Sequence, residues 1–387
     1  MDNQNLFNVL DFGSSKIRFS TFDKDLNENF SETIPVVLDS EYSNHFLQIK
    51  NIIKRAEKKN SFYIKDIILI HNPQYLFEID ISLNKLINET ASINKIYNSL
   101  LLELDQIMKS NYNSFDISHI IFNKFIVNDK FFNEFPFHIK KIDEIKVDSK
   151  IICIPKNINF KIKENFQKIN LNIKNIFCST YTKTLFYLKK LNLENTSFLE
   201  IGFNKTTIVI YEKNVLKLIY SIPVGSFHIT KDISKIFKIS IQEADEIKKL
   251  FNKSDTEFSY SNNSKNNSNS AKIILNKGIS INTLKKVILY RIQEIFDLIF
   301  IKSNISKYNL QLNNSDLFLI GEGSKLFDNN SFFLDDKFGF KSIKFYEEDD
   351  VEICKSGLNY YLNNLETPKI LTKKQGLFEK FFNFFSK

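Results

Sequence analysis

Residues 9–22 read VLDFGSSKIRFSTF and residues 199–211 read LEIGFNKTTIVIY, and the two stretches share one layout. Each runs through an apolar strand, an acid, one residue, a glycine, a polar tip and a second alternating strand. Placing Asp11 on Glu200 places Gly13 on Gly202 at the same offset of 189 residues, and Phe22 falls on Tyr211. A glycine lets backbone N–H groups approach phosphate oxygens, and the acid can hold a metal or its waters. The first tip adds Ser14, Ser15 and Lys16, two hydroxyls and a positive charge. A plain hairpin turn accounts for either stretch alone. Independent turns would seldom repeat acid, glycine and flanking strands together, so the pair predicts two loops facing across a cleft with a triphosphate between them.

A chain of 387 residues with 43% apolar content has room for two to four compact units. Its net charge of +8 is spread along the sequence, without the compact basic stripe and interleaved aromatics of a nucleic-acid surface, so no nucleic acid is expected. Cys153, Cys178 and Cys354 are odd in number and far apart, and the five histidines are scattered. Neither pattern makes a zinc or redox site, which fits a reduced cytoplasm and no metal beyond one carried by a nucleotide. The first residues lack a basic segment leading into an apolar one, and no run approaches the roughly 20 apolar residues of a spanning helix. The expectation is a protein that is soluble or attached to a membrane from outside.

Helical spacing over Asn44–Lys59 and a buried strand at Ile64–Ile70 give alternating α/β texture after the first hairpin. The texture changes at Phe77–Pro155, where a helix over Ile93–Lys109 precedes strands at Ile117–Val127, Phe135–Ile142 and Lys150–Ile154, the mark of an inserted subdomain. A strand between helices at Lys161–Lys168 and Ser179–Leu188 leads into the second hairpin. A strand over Val215–Pro223, a turn at Val224–Gly225–Ser226 and helices over His228–Phe237 and Ile241–Phe251 follow. Asn252–Ser270 reads as a surface loop rich in Ser and Asn. A long helix at Ile281–Ile301, a strand at Asp316–Ile320 with the turn Gly321–Glu322–Gly323–Ser324, and a helix at Asp350–Leu362 close the body.

Asp245 and Lys248 lie one helical turn apart, on one face, where they can bracket a ribose or base edge, although a solvated charged face is the ordinary reading of such a pair. The turn at Gly321–Ser324 can bring backbone close to an adenine ring or an α-phosphate, and a simple strand-to-helix turn competes with that.

In this order the elements resemble the actin-like ATPase superfamily, and within it the bacterial cell-division FtsA family. LDFGSSKI is similar to that family's first phosphate loop and EIGFNKTTI to its second. IPVGSFHITKDISKIFKISIQEADEIK looks like its strand, turn and adenosine helices, LIGEGSKL like its adenosine glycine turn, and CKSGLNYYL like its last body helix. The insertion at Phe77–Pro155 lies where FtsA carries its own subdomain.

The resemblance implies an α/β, actin-like fold with two facing ribonuclease-H-like halves around a nucleotide cleft, an FtsA-type inserted subdomain and a C-terminal amphipathic helix. Residues 1–76 and 156–195 would form the first core subdomain, 77–155 the insertion, 196–230 and 316–362 the second core, and 231–315 a nucleotide-capping subdomain. It implies ATP held by Asp11, Gly13, Ser14, Ser15, Lys16, Glu200, Gly202, Asn204, Lys205, Thr206, Gly225, Asp245, Lys248, Gly321, Gly323 and Ser324, with Mg carried through Asp11 and Glu200. Three departures bear on the chemistry. Glu200 replaces the family's aspartate, Phe203–Asn204–Lys205 replace its glycines, and Glu322 stands where another glycine is expected. The expectation is ATP binding mainly through the first loop, with hydrolysis very slow or absent.

On a helical wheel of about 100° per residue, Leu377, Phe378, Phe381, Phe382, Phe384 and Phe385 fall within an arc of roughly 160°. Such a helix suits the headgroup boundary, with Lys373, Lys374, Lys380 and Lys387 drawn to anionic lipid, whereas docking on the protein's own core is the plainer alternative. One copy would bind reversibly and a filament with far greater avidity. The resemblance thus implies self-assembly at the inner face of the cell membrane and a tether for the FtsZ ring through its C-terminal peptide, taken near 231–315. Contacts with other division proteins are compatible with it. A type IV pilus actin-like component shares the clamp but normally lacks the lipid-binding tail. A small-molecule kinase would need a substrate-activating carboxylate that the sequence does not supply.

Overall fold

The computed structural model of the chain describes residues 6–36, 42–73, 75–87, 92–254, 278–301, 312–327 and 339–365. The Ser/Asn-rich segment beyond residue 254 and the amphipathic tail with Leu377, Phe378, Phe381, Phe382, Phe384 and Phe385 lie outside the described residues.

Strands β1 (Phe7–Phe12), β2 (Lys16–Phe22) and β3 (Glu28–Pro35) form an antiparallel meander. Helix α1 (Tyr42–Asn60) then crosses to β4 (Asp66–His71), which pairs parallel with β1. β1 is covered on both faces, so its side chains alternate between two cores rather than between core and water. Leu10 and Phe12 join Phe46, Ile49 and Ile53 of α1, while Val9 points to the opposite face. Burying a side chain such as Leu10 completely is worth about 1.5–3 kcal/mol.

The insertion comprises β5 (Phe77–Leu86), α2 (Ile93–Asn111), β6 (Phe115–Val127), β7 (Lys130–Phe132) and β8 (Glu144–Pro155). Its sheet runs in the order β5-β8-β6-β7, with α2 laying Leu100, Leu104 and Met108 on it. The strand expected over Phe135–Ile142 is instead an irregular segment. Pro136 has no N–H to give a ladder, and Phe135 and Ile142 are used as plugs in the core around Tyr97.

The insertion also touches the second half of the molecule. Glu78 of β5 accepts from the Ile219 N–H at 2.7 Å, and Asn123 of β6 donates to the Leu216 carbonyl at 3.0 Å. Lys150 on β8 holds the same Glu78 at 2.5 Å with both side chains nearly buried.

The chain returns through α3 (Lys156–Lys168), β9 (Asn172–Cys178) and α4 (Ser179–Lys190), and β9 completes a sheet of order β3-β2-β1-β4-β9. The second half repeats this plan. β10 (Thr196–Ile201), β11 (Thr206–Glu212) and β12 (Val215–Ile222) form the meander. Helices α5 (Ser226–Phe237), α6 (Ile241–Ser254) and α7 (Ile281–Phe296, followed by a π turn) pack on one face, and β13 (Asp316–Ile320) and β14 (Ser342–Phe345) add parallel to β10. The order β12-β11-β10-β13-β14 is the first sheet's order, strand for strand. The register repeats as well: Asp11 lies opposite Arg18 and Glu200 opposite Thr207, both pairs separated by the same 189 residues. Helices α4 and α8 (Asp350–Leu365) fill the layer between the halves, α4 packing Tyr187 and Leu188 beside Phe198 and Val209, α8 packing Ile353 and Leu358 beside Val9 and Ile70.

Candidate functional site: a crevice between duplicated hairpins

The acids at the ends of β1 and β10 meet at the first turn of α4. Ser179 Oγ donates to Asp11 Oδ1 at 3.1 Å, and the next residue, Thr180, donates to Glu200 Oε2. Two consecutive residues at one helix start therefore hold both acids, so the hairpins open onto a single crevice.

The first loop is tight, since a Cβ on Gly13 would lie 2.6 Å from the Lys16 carbonyl. Ser14 is exposed, Ser15 and Lys16 are half-buried, and Lys16 crosses to the Gly321 turn to pair with Glu322 Oε1 at 2.6 Å. The second loop leans on α5. The Gly202 and Phe203 carbonyls accept from the Ser226 and Phe227 N–H groups at 2.9 and 2.8 Å, and any Cβ on Gly225 would sit 2.6 Å from both oxygens. In a planar trans peptide the N–H opposes the C=O. Pinning those carbonyls on α5 thus turns the amides of Phe203 and Asn204 away from it, as an anion-binding loop requires. The Phe203 ring stacks on Phe227 at 4.7 Å.

Lys205 is buried and donates to the Pro73 carbonyl of the other half at 2.7 Å. Thr206 is buried and closes on the Val224 carbonyl at 2.8 Å. Gly321 has φ +88°, and Gly323 lies so close to Ile201 that a Cβ would come within 2.6 Å of its side chain. Ser324 is fully buried and caps the Gly321 carbonyl at 2.6 Å. Asp245 and Lys248 pair at 2.8 Å, and Lys248 also donates to Thr230 of α5 at 2.7 Å. Lys16 thus ties the first loop to the Gly321 turn, and Lys248, engaged with Asp245 and α5, places its ammonium 6.0 Å from the centre of the Phe203 ring of the second loop, while Asn204 is exposed.

Several crevice residues escape the sequence reading. Arg18 donates to Asp11 at 2.7 Å and to Asp350 at 2.5 Å. Lys183 of α4 pairs with Glu200 at 2.6 Å and with Glu348 at 2.9 Å, and Glu348 in turn accepts from the Gly321 N–H at 2.8 Å. Asn72 donates to Glu200 Oε2 at 3.0 Å. An arginine inside an apolar strand and a lysine amid the Ser179–Thr184 hydroxyls are the signals that could have marked Arg18 and Lys183.

Burial alone would raise the Glu200 carboxyl, but Lys183, Thr180 and Lys205 outweigh it and hold the group below the ordinary glutamate range. The same balance, burial against Arg18 and Lys16, keeps Asp350 low, and burial against Lys248 and Lys249 keeps Asp245 low. Acids whose folded pKa is depressed add stability that is complete above their unfolded values of about 4 and is lost as pH falls through the lower folded ones. The urea midpoint is therefore expected to fall steadily below about pH 4 and to fall less steeply in Glu200→Gln. A midpoint flat down to about pH 3 would contradict the assignment.

Two sheets of one topology around a shared helical layer are the architecture of the actin-like fold. Similar solved structures include the PilM-PilN type IV pilus biogenesis complex, 11% identical over 94% of this chain and 98% of that one at TM-score 0.59. MreB5 of Spiroplasma citri bound to ADP is 11% identical over 94% and 98%, TM-score 0.51, and its AMPPNP-bound form 12% over 95% and 98%, TM-score 0.50. At a finer level, a family model described as cell division protein FtsA matches residues 198–330, the span from β10 past the Gly321 turn. No curated protein sequence matches the chain.

Proposed function

We propose that this chain is an FtsA-like cytoplasmic adaptor that holds an adenine nucleotide in the crevice and polymerises with copies of itself. In this reading it lies on the inner face of the cell membrane and anchors the division ring by its hold on the FtsZ C-terminal peptide. The observation that carries the nucleotide reading is the convergence of Asp11 and Glu200 on Ser179 and Thr180. The loop Gly13–Lys16, the outward amides of Phe203 and Asn204, and the turn Gly321–Ser324 would hold the nucleotide, which brings a phosphate anhydride to the site when bound. The FtsA match over 198–330 supports the division role, and the wheel of Leu377–Lys387 supports the membrane role. The peptide would be taken near residues 231–315, beside α5–α7.

The full chain is expected to sediment with anionic vesicles and to carry an FtsZ tail peptide with it. A version ending at Gln375 is expected to stay in the supernatant at the same concentration. Equal sedimentation of the two would end the tether reading. The likeness to the PilM-PilN complex favours a second reading, a pilus assembly component, for which a PilN-type partner and not the FtsZ peptide would be retained.

A further inference from the structure

Asp11 and Glu200 are the carboxylates that the duplicated hairpins bring to the crevice, and each already carries a cation of the chain's own. Asp11 Oδ2 accepts from Arg18 Nη1 at 2.7 Å and Oδ1 from Ser179. Glu200 Oε1 pairs with Lys183 Nζ at 2.6 Å, while Oε2 accepts from Asn72 and Thr180. All four carboxylate oxygens are thus engaged inside the protein.

The two cations arrive by different routes. Arg18 faces Asp11 across the first hairpin, whereas the equivalent place opposite Glu200 is held by uncharged Thr207. There the charge comes from α4 instead, in Lys183. A duplicated site has been neutralised twice with unrelated residues.

Lys205 of the second loop adds a further amino group, which donates to the Pro73 carbonyl at 2.7 Å and whose pKa burial lowers. It is 5% exposed, and among the described residues no carboxylate oxygen lies within 4.0 Å of its ammonium. A hard divalent ion is held by charged oxygens at about 2.0–2.6 Å. An ammonium or guanidinium on those oxygens takes up their charge and stands as a like charge beside the ion. The metal that the fold family implies, carried through Asp11 and Glu200, does not fit these residues.

We propose that the crevice takes an adenine nucleotide without a divalent metal, its acids being already neutralised by Arg18 and Lys183. This rests on the reading of the crevice as a nucleotide site. The test titrates the full-length chain with a fluorescent ATP analogue, once in magnesium and once in EDTA. A second measurement counts Mn²⁺ retained with bound ATP after rapid gel filtration. The expected result is affinities within about threefold of each other and bound nucleotide carrying almost no Mn²⁺. An affinity lower by about thirtyfold or more in EDTA, or one Mn²⁺ per nucleotide, would overturn metal-free binding while leaving the nucleotide reading intact. No binding in either buffer would overturn both.

Discussion

Lys183→Met is expected to lower folding stability by about 3–5 kcal/mol, because it leaves Glu200 and Glu348 facing each other without their common cation. Lys183 is 3% exposed, so water does not replace the lost ammonium. Neutralising one acid at the same time removes much of the penalty, since a buried ion pair exchanged for neutral groups is often nearly neutral overall. Lys183→Met with Glu200→Gln is therefore expected to recover at least about half of the loss in urea or thermal unfolding. Additive losses would mean that Lys183 acts through packing and not through its charge. The comparison also separates stability from nucleotide binding, because both variants can be titrated once folded.

Gly321→Val is the second large effect. At φ +88° a β-branched residue is strained by about 1–3 kcal/mol. Its Cβ would also stand 2.7 Å from the Ile201 carbonyl and 3.3 Å from the Glu200 side chain, an overpacking worth about 1–3 kcal/mol more. The carbonyl belongs to β10, and that strand is tied by ladders to β11 and β13, so it has little room to retreat. The combined expectation is a loss of about 3–5 kcal/mol in unfolding, with the Gly321 N–H to Glu348 bond at 2.8 Å disrupted as well. Gly278 is a fair control: φ is +71° there too, but no neighbour lies within 4 Å of a Cβ, so Gly278→Val should carry the backbone strain alone. Equal losses at the two positions would sink the packing argument.

The duplicated hairpins were legible because alternation, an acid and a glycine recur at one spacing, and the sheets repeat even the cross-strand register. β5 is harder to read although Phe77–Asn84 alternates, its faces being only partly buried and the stretch opening a segment of changed texture. Phe135–Ile142 looked like a strand because burial of its aromatics, not backbone pairing, explains its composition. The charge network is a harder case. Arg18 and Asp350, and likewise Lys183 and Glu348, stand far apart in the chain and pair only because two halves fold around α4 and α8. Nothing local in their neighbourhoods specifies that meeting. The offset of 189 did hold one clue, since it sets Arg18 against Thr207, a charge against an uncharged residue at matched buried places.

The bonds from Glu78 to Ile219 and from Asn123 to Leu216 give the insertion a mechanical part to play. A body made of two lobes on a common spine would ordinarily swing like jaws. Here a strut rooted by its sheet in the first lobe reaches the outer ladder of the second, so gaping would strip Glu78 from a backbone amide while leaving it beside Lys150. The two bonds together set a cost of a few kcal/mol, by order of magnitude, on any neighbour that prises the lobes apart on that side.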